Sequence, residues 1–245
     1  MLAPKKLFLM AVLSVPLVFG ACAHRYDGPN YAKGIDVSHF QGSIDWSLVK
    51  GGDVSFAYIK ASEGITYTDP KFVANWQGTA DAGIVRGGYH KFVAKDAGEA
   101  QARNFLNALK SAEAGAGAYP TLPPVLDIEV VRKEDLAVAF DEMLAWLAVV
   151  EGELGCKPII YTSPNNWNKE FPDKFRGYEL WLADYAAKPT LPKGWHRWLF
   201  WQQSDSGTTK GIEGDVDQDI FNGNIDKLMR RACAGSQHKV LGGLT

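Results

Sequence analysis

The residues best suited to do chemistry are Asp127 and Glu129, in the run Leu126-Asp127-Ile128-Glu129 that follows the apolar Pro123-Pro124-Val125. Side chains alternate along a strand, so Val125, Asp127 and Glu129 share one face while Leu126 and Ile128 share the other. With a rise of about 3.3 Å per residue, the β-carbons of the two acids stand roughly 6–7 Å apart. Carboxyl pairs in that range cleave glycosidic bonds. Two acids closing an otherwise apolar run are costly to bury without a task. The stretch therefore points to carbohydrate hydrolysis.

Composition offers few rival chemistries. The 245 residues carry 26 Lys and Arg against 28 Asp and Glu, a formal charge of -2, so no basic excess argues for nucleic acid. His24, His39, His90, His196 and His238 are scattered and no CxxC occurs, so neither a metal site nor a cofactor is expected. The 8 Trp and 9 Tyr fit sugar stacking, although core packing is the favoured reading for most of them. In the body of the chain only Cys156 and Cys233 remain. An oxidising compartment would let them pair; otherwise they are two unpaired or buried thiols.

The elements that must position the acids are legible as apolar, β-rich runs at 34–37, 56–61, 85–92, 124–129, 158–162, 179–184, 198–203 and 216–221. Helical segments separate the early ones. Asp69-Pro70 reads as an N-cap and first helical position, with Gly83 as the stop. Asp96 opens a second helical segment, and 136–154 is a longer apolar-periodic one ending at Gly155. Between Tyr185 and Arg197, and again between Asp205 and Asp215, no helical period is present. Parallel neighbours need a long crossover whereas antiparallel ones need only a loop. The expectation is an α/β fold: an irregular TIM-like β/α barrel of eight strands, the last two or three partly antiparallel, with fewer than eight helices. The barrel domain spans 30–230, and 231–245 reads as a weakly ordered tail.

Residues 1–22 read as a leader rather than fold: Lys5 and Lys6 precede an apolar run over 7–20 that is short for a bilayer span. Gly20-Ala21-Cys22 resembles a lipobox, which makes Cys22 the acylated first residue of a bacterial lipoprotein. Ala21-Cys22-Ala23 also reads as an ordinary cleavage site. Lipidation is the favoured reading, and either route exports the protein to the cell envelope or beyond.

Catalytic groups of β/α barrels gather at the carboxyl ends of the strands. That rule collects Asp36, Tyr89, Asp127, Glu129, Asp184 and Tyr185; an antiparallel last strand adds Asp217 at its beginning. Several motifs together then resemble family 25 of the glycoside hydrolases, the Ch-type lysozymes. They are Gly34-Ile35-Asp36-Val37-Ser38 with Gln41-Gly42, Lys60-Ala61-Ser62-Glu63-Gly64, Gly88-Tyr89-His90, Asp127-Ile128-Glu129, Trp181-Leu182-Ala183-Asp184-Tyr185, Trp201-Gln202 and Gly214-Asp215-Val216-Asp217. Each is weak alone, but they occur in order across nearly the whole body of the chain.

The resemblance implies an N-acetylmuramidase. Glu129 would be the general acid at the β-1,4 bond between N-acetylmuramic acid and N-acetylglucosamine, its pKa raised by a neighbouring carboxylate. Asp127 would orient the substrate's 2-acetamido group for attack on the anomeric carbon; direct carboxylate attack, or inversion through a water held by Asp36 or Asp217, stays open. Asp36 and Asp217 would complete an acidic rim, with Asp215 and Asp219 as competitors for the latter place. Tyr89, Asp184, Tyr185, Trp201 and Glu63 are candidate sugar contacts, with packing, loop bonding or an ion pair to Lys60 as the alternatives. Gln203, and Gln218-Asp219 in place of the more usual Leu-Asn, depart from the pattern. The expected partner is the glycan strand of peptidoglycan, met by a monomer that touches membrane only through Cys22. A chitinase-like glycosidase and a non-catalytic sugar-binding protein are the rivals.

Overall fold

The computed structural model describes residues 31–114, 121–129, 131–167 and 175–233. The expected leader, Cys22 and residues 234–245 lie outside the described residues. The strands are β1 (Ala32–Val37), β2 (Phe56–Glu63), β3 (Tyr67–Thr68), β4 (Val85–Lys91), β5 (Val125–Asp127), β6 (Ile159–Thr162), β7 (Glu179–Ala183), β8 (Phe200–Gly207) and β9 (Val216–Phe221). Between them lie helices α1 (Trp46–Gly51), α2 (Phe72–Asp81), α3 (Gly98–Glu113) and α4 (Leu136–Leu154), with α5 (Ile225–Met229) last.

All eight apolar runs of the sequence become barrel strands, in the order β1-β9-β8-β7-β6-β5-β4-β2, and β1 pairs with β2 to close the ring. Two-residue β3 is an addition, a hairpin return on the end of β2. Only β9 runs against the rest, so the two pairings that complete closure, β8–β9 and β9–β1, are antiparallel. The pairing of β7 with β8 is parallel despite the missing helix. Residues 184–199 make that crossover as irregular chain, long enough to return to the other end of the barrel.

Local signals set most helix ends. Helix α4 spans the expected residues and stops at Gly155, whose φ of 60° is the left-handed conformation glycine tolerates. Helix α2 begins later than its Asp-Pro signal. Asp69 instead accepts bonds from the backbone N–H groups of Lys71 and His39 and so ties the turn before the helix to the loop after β1. The first N–H of α3, that of Gly98, donates to the Glu142 carboxylate of α4 rather than to an Asp96 cap.

Two apolar layers follow from the alternation along each strand. One fills the gap between sheet and helices, with Ile35, Ile59, Phe105, Leu126, Trp146 and Leu182 among its members. The other fills the barrel itself and is largely aromatic: Phe56, Tyr58, Trp181, Phe200 and Phe221. Tyr58 and Trp181 have ring centroids 4.6 Å apart. Such rings fit only because glycine faces them. A β-carbon on Gly34 would lie 2.3 Å from the Phe56 ring, and one on Gly87 2.2 Å from Tyr58. Cys156, after α4, is disulfide-bonded to Cys233, which fastens the chain beyond α5 to the barrel. Residues 231–233 are thus held where a loose tail was expected.

Candidate active site

Strand register builds the site. Lys91 of β4, Asp127 of β5, Tyr161 of β6 and Trp181 of β7 are successive register partners. Their side chains form one row around the inside of the barrel and line the pocket, with Trp181 joining the row to the aromatic filling. Across from this row, antiparallel β9 sets Asp217 opposite Asp36 and Asp219 opposite Gly34. These groups open into a pocket of about 280 Å³ lined by Asp36, Tyr89, Lys91, Asp127, Glu129, Tyr161, Tyr185 and Asp217, among others. A second recess of about 560 Å³ shares Glu129, Tyr161 and Tyr185 with the first, so the two make a continuous groove.

Asp127 and Glu129 face the groove together, as strand alternation requires, but in different settings. Asp127 is 4% exposed, and its Oδ1 has no hydrogen-bond partner. Burial pushes its carboxyl well above the usual range, and Glu129 adds to that push while Lys91 and Lys60 oppose it. Glu129 is about a third exposed and ion-paired with Lys91. The expected charge repulsion within the pair is therefore registered at Asp127, the buried member.

The opposite wall is a hydrogen-bonded acid cluster. Gln202 donates from Nε2 to Asp36 Oδ2 at 2.7 Å, while its Oε1 accepts from the hydroxyls of Tyr161 at 3.0 Å and Tyr185 at 2.8 Å. Burial, then Asp217 and Asp219, raises the Asp36 carboxyl well above its ordinary value, and the Gln202 bond pulls it back in part. Asp217 is raised to about 6, chiefly by burial. Asp219 lies deeper, accepts from the Trp181 indole at 2.8 Å, and is also raised, by burial and by Asp217.

Two of the candidate contacts lie elsewhere, and a third, Asp184, sits at the edge of the groove with its carboxylate already engaged. Trp201 is 1% exposed and points to the helix side, its indole N–H donating to the Asp184 carbonyl at 2.6 Å. Alternation explains this: its neighbours Phe200 and Gln202 take the inner face. Glu63 pairs with Lys60 at 2.6 Å and does not line the pocket. Asp184 spends its carboxylate on the backbone N–H groups of Ala186 and Thr190 at the edge of the second recess. His90 is buried behind the sheet against Trp146, and burial lowers it to about 4.

Other lining residues were not singled out from the sequence. Lys91 and Tyr161 were findable, because each falls on the inward phase of a strand already assigned. Phe40 was not: it sits in a short 3-10 turn after β1, lines the pocket and is 80% exposed. Among the described residues no group of three His, Cys, Asp or Glu side chains is arranged to hold a metal ion.

The sequence profile of glycosyl hydrolases family 25 matches residues 35–212, which includes every acid lining the pocket except Asp217. The chain belongs to that family. This family 25 glycosidase is 38% identical over 215 residues to lysozyme M1 of Streptomyces globisporus, covering 82% of this chain and 71% of the relative. It is 31% identical to an N,O-diacetylmuramidase of Arthroderma benhamiae, over 83% of this chain and 87% of that one. The crystal structure of the bacterial lysozyme from Streptomyces coelicolor superposes with a TM-score of 0.73 at 36% identity, covering 82% of this chain and 96% of that one.

Proposed function

We propose that the chain is a peptidoglycan muramidase in which Glu129 protonates the leaving oxygen and Asp127 holds the substrate's 2-acetamido group. The observation that carries this reading is the unpartnered, buried Asp127 Oδ1 beside Glu129. A buried polar atom without a partner costs free energy that a bound amide recovers. An N-acetylated sugar brings its amide N–H to that position, which turns the acetamido oxygen toward the anomeric carbon. Asp36 and Asp217 face the developing positive charge from the opposite wall. Tyr185 and Tyr89 bound the sugar, and the groove continuing past Glu129 suits a polymer rather than a small glycoside.

The catalytic domain is taken as 30–230. The protein is read as an exported monomer, tethered through a lipid on Cys22. The Cys156–Cys233 disulfide supports an oxidising compartment.

Digestion of purified peptidoglycan and of chitin, with mass spectrometry of the new reducing ends, tests the substrate. Ends in N-acetylmuramic acid are expected; release of other ends, or of chitin fragments alone, overturns it. Proton NMR of the first product formed tests the mechanism, since substrate assistance retains the β-anomer and early α product excludes it.

A further inference from the structure

A second cavity, of about 790 Å³, lies at the opposite end of the barrel, where β6, β7 and β8 begin and the chain leaves α5. Five cations line it: Lys157, Arg176, Arg197, Arg230 and Arg231. Among the described residues its lining carboxylate is Glu179, which accepts a hydrogen bond from Arg197 at 3.0 Å and is ion-paired with Arg231 at 3.6 Å. Lys157 lies over the Tyr178 ring at 4.8 Å, and neither it nor Arg230 has a carboxylate partner among the described residues. In a chain of formal charge -2 this is a marked polarisation, because the carboxyls of the groove occupy the other pole. Bringing like charges together around a concavity raises free energy until an anion enters.

We propose that this pole binds phosphate groups. Four of the five cations are arginines, whose planar forks match phosphate oxygens two at a time. The Trp195 and Tyr178 side chains complete the wall beside these cations. The Cys156–Cys233 disulfide forms part of the same wall and holds the Arg230-Arg231 segment beside Lys157. Occupation by an envelope phosphate, whether a lipid headgroup or a soluble phosphodiester polymer, would fix the barrel with its groove facing away from the attachment point.

Inorganic pyrophosphate is the first probe, titrated into the full-length protein at low ionic strength while the Trp195 indole and arginine side-chain signals are followed by NMR. Saturable shifts at millimolar concentration are expected, and the double variant K157E/R230E should weaken them roughly tenfold or more. Hydrolysis of a soluble glycan should be unchanged in that variant. Vesicles containing phosphatidylglycerol, phosphatidylcholine vesicles and soluble poly(glycerol phosphate) then separate the sources; variant-sensitive binding to either anionic material supports the site and names its ligand. Absent shifts with pyrophosphate, or shifts and binding indifferent to K157E/R230E, overturn the proposal. Neither result depends on which glycan the groove cleaves.

Discussion

Asp36 and Asp217 are direct partners across the antiparallel ladder between β1 and β9. Residues so placed point the same way with β-carbons about 5 Å apart, too close for two full negative charges to share comfortably. The Asp217 carboxyl should titrate with a midpoint of about 6, followed by carbon-13 NMR of its side chain. Its folded value lies above its unfolded one, so the folded state holds a proton that the unfolded chain releases first. The resulting stability is present below about pH 4 and lost as pH rises through about 6. In Asp217→Asn, the Tm difference from the parent should therefore move in favour of the variant across that window. A pH-independent difference would contradict the assignment.

Glu129→Gln should lower kcat at least a hundredfold, within the range of about 10²–10⁴ that general acids supply. The side chain is 36% exposed and ion-paired with Lys91, so the fold should persist. Turnover close to the parent's, measured on soluble glycan, would remove Glu129 from the reaction.

Asp127→Asn should act on activity and stability with opposite signs. The buried carboxyl resists ionisation, and an amide of the same shape is free of that cost. Thermal unfolding at neutral pH should thus occur at a higher Tm while kcat falls, a trade seen where sites are held at the expense of stability. A loss of both would indicate that Asp127 serves the fold.

Phe40→Ala should raise KM while leaving kcat and Tm near the parent's. The ring is exposed at the groove mouth, so its removal deletes a stacking surface without opening a cavity. A contact of about 1 kcal/mol corresponds to roughly a fivefold change. Steady-state kinetics on soluble glycan fragments provides the measurement.

Reducing the Cys156–Cys233 disulfide should lower stability by about 2–4 kcal/mol, because it frees a loop with a sequence separation of 77 in the unfolded chain. Denaturant titration with and without reductant checks this. The groove acids lie at the other end of the barrel, so glycan hydrolysis below the transition should be retained.

What the amino-acid order determined by itself is what depends on local period. The alternation at Val125, Asp127 and Glu129 assigned both acids to one face, and the eight apolar runs with a final pair lacking helices pointed to a mixed barrel. The stop at Gly155 was equally plain, since it rests on one residue's backbone freedom. Sequence reasoning went astray where a residue's role depends on a distant partner. Asp69 was read as a helix cap, yet it serves a loop that arrives from β1. Trp201 was a candidate sugar contact through its motif, with packing as the alternative, and its phase on β8 turns it to the helices.

Only the tertiary structure decided the chemistry's surroundings. Closing the barrel brings β9 beside β1 and so makes Asp36 and Asp217 neighbours, a contact spanning most of the chain that no window of sequence contains. The same closure buries Asp127, pairs Glu129 with Lys91 and gathers cations from separate segments around one distant cavity. Proton affinity and ion pairing depend on distance and solvent exclusion, and those are properties of the assembled barrel rather than of neighbouring residues along the chain.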